Sequence, residues 1–121
     1  MKVIDWYSKF NGEPEIQLRC YDGLGLAETT VRIWEGYFNN IMFAIKPMKE
    51  KWGELTLPFH TCSGWYDSVE WTIIHVDEAI LELKSIDTQD IEDVERQILQ
   101  ELIEMFEYAY KHKARLTISC A

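Results

Sequence analysis

This sequence has no long hydrophobic run, no paired-cysteine motif, no internal repeat and no low-complexity tract. Its longest apolar stretch, Ile41 to Ile45, stops at Lys46 and Pro47. That is far short of the ~20 residues that span a bilayer. Near the N-terminus, Asp5, Ser8 and Lys9 interrupt the apolar residues, so no signal-peptide core forms. The expectation is a cytoplasmic protein with no membrane partner. Cysteine is scarce, with only Cys20, Cys62 and Cys120. An odd number without a Cys-x-x-Cys spacing fits reduced thiols, not a disulfide framework. Gly23-Leu24-Gly25 lacks the third glycine of a dinucleotide fingerprint, and no Gly-Lys-Ser/Thr exists for a phosphate loop. No spacing matches a calcium loop. The expected cofactor is therefore none.

What the chain does have is acid. Across 121 residues, 21 acids face 12 bases, a formal charge of −9. The excess is local. Residues 87–107 hold eight acids and one base, Arg96, whereas the other hundred hold thirteen acids and eleven bases. A field of that sign repels nucleic acid and anionic lipid, and speeds the encounter with a basic protein. Hydrophobic residues make up 47%, with sixteen aromatics. A chain of this size buries roughly two thirds of its surface on folding, enough for one core. Residues 1–121 read as a single domain.

The pattern predicts an α+β fold. Residues 2–10 and 15–21 read as strands, joined into an N-terminal hairpin by the turn-forming pair Asn11-Gly12. Over 27–46, Val31, Trp34, Phe38, Ile41 and Ile45 recur at helical spacing, and a middle helix is expected over most of the segment. The β-branched run Thr29 to Ile33 pulls the other way. Residues 54–59 alternate and read as an edge strand, because Pro58 has no N–H for a ladder. Trp71 to Val76 reads as another strand. Asp77 can cap a short helix over 77–86, with a hairpin return strand as the competing reading.

A long C-terminal helix, about 87–112, begins near Asp87 or Thr88 and buries Ile91, Val94, Ile98, Leu102, Met105, Phe106 and Ala109. Leu116-Thr117-Ile118 then forms a short final strand. The sum is a small antiparallel or mixed sheet packed by the middle and C-terminal helices. Turning 100° per residue points Asp93, Gln97, Gln100, Glu104 and Glu107 away from the core, with Asp90 and Glu101 beside them. Leu99 and Ile103 fall on the opposite flank, where either the fold or a partner must cover them.

Chemistry is thinly signalled. His60 and Cys62 would share one side of a strand, but two ligands are short of the three or four that zinc takes. No metal site is expected, and the chain reads as non-catalytic. A small His60/Cys62 enzyme is the alternative, and so is an oligomeric adaptor with Leu99 and Ile103 at its interface. In Gly64-Trp65-Tyr66-Asp67, adjacent aromatics in extended backbone point to opposite sides, which leaves one of them free as an interface anchor.

The length, the acidity, the order of elements, and the run from Leu57-Pro58-Phe59 through Gly64-Trp65-Tyr66-Asp67 to Trp71 before two helical segments resemble the small acidic immunity proteins of bacterial toxin–immunity systems, including contact-dependent growth inhibition. The resemblance implies a cognate toxin domain as partner, often a basic nuclease, blocked by stoichiometric binding. The residues expected to meet such a partner are Asp90, Asp93, Glu101, Glu104 and Glu107, with Trp65, Tyr66 and Asp67 as anchors.

Overall fold

Strand β1 (Lys2–Trp6) opens the chain and is followed by a 3₁₀ turn, Ser8–Phe10. Strands β2 (Glu15–Tyr21) and β3 (Ala27–Trp34) come next, and helix α1 (Glu35–Ala44) follows β3 without a break. Then come α2 (Thr56–Thr61), a 3₁₀ turn at Gly64–Tyr66, and the two-residue strand β4 (Trp71–Thr72). Helix α3 (Val76–Lys84), a 3₁₀ turn at Thr88–Asp90, α4 (Asp93–His112) and β5 (Arg115–Cys120) complete it. This computed structural model describes residues 2–47, 51–67 and 69–121.

The five strands form one mixed sheet in the order β1-β3-β2-β5-β4. Only β1 and β3 run parallel. Alternation along the strands gives the sheet two different faces. Ile16, Leu18 and Cys20 of β2 share a side with Val31 and Ile33 of β3 and Leu116 and Ile118 of β5, all at most 2% exposed. Phe38, Ile41 and Met42 of α1, Leu83 of α3, and Ile98, Leu102 and Phe106 of α4 join them in one core.

Five expectations change. The N-terminal hairpin is β2–β3, not β1–β2. Asn11-Gly12 does turn, with Gly12 at φ +93, but β3 lies between the strands on either side of it. The true hairpin loop is held by Asp22, whose carboxylate accepts from the N–H groups of Leu24 and Leu26.

The expected helix over 27–46 is a strand up to Trp34 and a helix only from Glu35. The β-branched run prevails because its side chains pack on a sheet between two partner strands.

The expected strand over 54–59 is helix α2. Glu82 accepts hydrogen bonds from the N–H groups of Leu55 and Thr56 and from the Thr56 hydroxyl, at 2.7, 3.0 and 2.7 Å. A carboxylate at that place caps the helix start. Pro58 is tolerated because the first turn needs no N–H donors.

The expected strand over Trp71 to Val76 is ordered as strand only over its first two residues. The short helix near 77–86 is present as α3. The long helix proper starts at Asp93, several residues later than read. Asp87 instead caps the 3₁₀ turn before it, and Glu92 with Glu95 forms the capping box of α4.

Candidate protein-binding surface

Helix α4 presents its predicted outer stripe as expected: Asp93, Gln97, Gln100, Glu104 and Glu107 are all exposed. Asp90 is exposed in the 3₁₀ turn ahead of them, and Glu101 is half-buried. Two of these carboxylates have cations of their own. Asp93 pairs with Arg96 on the next turn, and Glu107 lies 2.9 Å from Lys84 of α3. Asp90, Glu101 and Glu104 have no ion-pair partner among the described residues. Glu95 points inward, where it accepts from Asn40 of α1 at 2.7 Å and from the Glu92 N–H at 2.9 Å.

A further acid joins from the sheet. Glu28 of β3 accepts from the Tyr108 hydroxyl at 3.1 Å. Glu28, Glu101, Glu104 and Tyr108 line a groove of about 160 Å³, with Lys2 as the one base among the described residues on its wall. Cys20 lies at its floor. Burial pushes the Cys20 thiol pKa up, and the charge of Glu28 adds to that. The Tyr108 phenol is raised too, first by its bond to Glu28. Reading 27–46 as mostly helix hid Glu28, because its place beside α4 follows only from the β3 register.

Three of the four arginines are used elsewhere, on the sheet face away from the helices. Arg32 binds Glu15 across β2 and β3, 2.5 Å at its closest, and lies over the Tyr7 ring. Glu70 accepts from Tyr21 and from Thr117, and lies 3.6 Å from both Arg19 and Arg115. Burial opposes the Glu70 charge, but these hydrogen bonds and cations outweigh it and hold the carboxyl below its usual range. Glu15 follows the same logic, with Arg32 and Gln17 overcoming its burial.

The other predicted anchors fare unequally. Trp65 is 1% exposed and packs edge-on to Phe38 and Trp71, at centroid distances of 5.9 and 5.6 Å. It is a core residue and not a surface anchor. The backbone at Gly64–Tyr66 is a 3₁₀ turn, so the extended-strand argument for alternating sides does not apply. Tyr66 is half-buried and Asp67 exposed, in a turn that packs on β5 and α2, whereas α4 packs on α3, α1 and β5. Leu99, 4% exposed, is covered by the fold itself.

His60 and Cys62 sit at the end of α2, not in a strand. The His60 ring stacks on Trp52 at 4.0 Å and meets Phe43 and Phe59 at 5.9 and 5.0 Å. Cys62 is exposed, in left-handed backbone just past the helix. Among the described residues no group of three His, Cys, Asp or Glu side chains could hold a metal ion. No helix in these residues is long and apolar enough to cross a membrane.

No family model, no curated protein and no solved structure matches this chain.

Proposed function

We propose that this protein is a non-catalytic binder that docks and neutralises a basic protein partner, in the manner of an immunity protein for a toxin nuclease. One observation carries the reading. Arg19, Arg32 and Arg115 of the sheet pair with Glu15 and Glu70, while Asp90 just ahead of α4 and Glu101 and Glu104 on it have no ion-pair partner among the described residues. Unneutralised carboxylates on one ridge raise the encounter rate with a cationic surface, and they imitate the charge of the nucleic acid such a nuclease binds.

The test takes the product of any toxin-like reading frame adjacent to this gene and measures association by stopped flow. Reversing charge with Asp90→Lys and Glu104→Lys should slow association about tenfold, and raising salt to about 0.5 M should do the same. Dissociation should change less. A rate indifferent to both charge reversal and salt would remove the ridge as the docking surface.

A further inference from the structure

Three exposed apolar side chains meet at the corner where α1 ends and α2 begins. Phe43 is 66% exposed, Leu57 51% and Trp52 40%. Scattered surface apolar residues need no explanation, but these are joined. Phe43 touches the rings of Phe59 and His60, and Trp52 stacks on His60. Leu57 lies three residues before His60, on the same side of α2. The cluster is also held in place, because Glu82 pins the start of α2.

Phe43 forms one wall of an open cleft of about 600 Å³ that has Asp90 and Glu92 among its lining residues. Glu95 reaches the same cleft but is committed to Asn40 and the Glu92 backbone. Lys46 is the one base among the described residues lining the cleft. The Phe43 ring beside the free carboxylate of Asp90 suits a guanidinium better than an ammonium. The planar cation stacks on a ring and forks onto a carboxylate, whereas lysine offers a compact, strongly hydrated charge.

From this juxtaposition we infer that the cleft between Phe43 and Asp90, with Trp52 beside Phe43 through their shared contact with His60, is the anchoring pocket for an arginine-bearing segment of a basic protein. The inference rests on the reading that the chain docks such a protein, and it places the specific contact at the N-terminal end of the α4 ridge. A second copy of this chain is a poor occupant, since its net charge of −9 opposes pairing through an acidic cleft.

The test titrates ¹⁵N-labelled protein with a hexa-arginine peptide, with hexa-lysine as comparison. Shift changes should gather on residues 40–46, on 88–92 and on the Trp52 indole N–H. Hexa-arginine should bind about three- to tenfold more tightly than hexa-lysine. Trp52→Ala and Asp90→Asn should each weaken hexa-arginine about threefold or more, and Lys46→Ala should strengthen it about twofold. The Asp90 side chain holds no hydrogen bond or ion pair among the described residues, so its variant tests the pocket even if the tryptophan variant misfolds.

Shifts confined to residues 101–107, with equal affinity for both peptides, would overturn the corner and leave the charged ridge standing. Failure of both peptides to bind would overturn both readings. Dimerisation that Phe43→Ser abolishes, seen by light scattering, would give the corner to a second copy and overturn the arginine assignment.

Discussion

Replacing Glu82 should loosen the part of the domain that carries α2. The carboxylate is 1% exposed, as are Leu55 and Thr56, whose N–H groups it accepts. Glu82→Ala strands two buried backbone donors and one hydroxyl. Each stranded group costs about 1–3 kcal/mol, and the lost helix cap belongs to the same sum. Set against this, the native carboxylate is itself costly. Burial pushes its pKa up, and the charge of Glu78 adds to that, although the three hydrogen bonds pull it down. Removing it recovers part of that cost, so the net loss should be about 2–4 kcal/mol. For a domain of this size that lowers Tm by roughly 8–16 °C.

Glu82→Gln keeps the shape and one acceptor but turns an NH₂ toward a donor. It should cost about half as much. The assay is urea denaturation followed by tryptophan fluorescence, repeated across pH. A raised carboxyl pKa favours the protonated form in the fold. The advantage of wild type over the glutamine variant should therefore be greatest at acid pH. It should shrink as pH rises from the ordinary glutamate value of about 4.3 through the higher folded value. An alanine variant within about 0.5 kcal/mol of wild type would refute the cap, and an advantage that grows with pH would refute the pKa argument.

Two further outcomes follow from other parts of the fold. The Glu70 carboxyl is held below its usual range, so its contribution is present above the ordinary carboxylate pKa and lost as pH falls through the lower folded value. Glu70→Gln should therefore lose less stability than wild type between about pH 5 and pH 2.5, and parallel acid-denaturation curves would contradict that. Trp65→Ala should cost about 3–5 kcal/mol because a large buried ring leaves a cavity. Near-wild-type stability in a urea melt would return Trp65 to the surface.

The helices read best where their period is long. Seven apolar positions spread over about five turns identified α4, and its outer stripe came with it. Short segments read worst. Glu54 to Phe59 alternates for six residues, a pattern too short to separate strand from helix. Its outcome is decided by Glu82, 26 residues beyond Thr56 in the chain. The β1–β3 pairing was equally hidden, since the turn at Asn11-Gly12 is real but does not dictate which strand lies alongside.

For the candidate surface, Asp90, Asp93, Glu104 and Glu107 were visible as an exposed set. Glu28 and the Phe43–His60–Trp52 contact depend on packing between elements far apart in sequence, and no local pattern encodes that. Trp65 was misplaced because an aromatic pair in a 3₁₀ turn does not obey strand alternation.

The placement of charge is the feature that binds these observations together. A chain with a net charge of −9 could spread its acids evenly and gain solubility alone. This one gathers Arg19, Arg32 and Arg115 on the outer sheet face and pairs them there, so that face is close to self-neutral. The opposite layer keeps open carboxylates at Asp90, just ahead of α4, and at Glu101 and Glu104 on it, and Asp93 to Glu104 alone spans roughly 17 Å at 1.5 Å per residue. Charges separated by more than the ~8 Å screening length act nearly independently in physiological salt. Along such a ridge, a partner with one cation would feel only its nearest acids, whereas a partner with a row of cations would feel all of them. The ridge thus favours an extended basic surface. The aromatic corner at its Asp90 end supplies the fixed point that charge alone lacks, because electrostatic attraction sets approach while buried contacts set register.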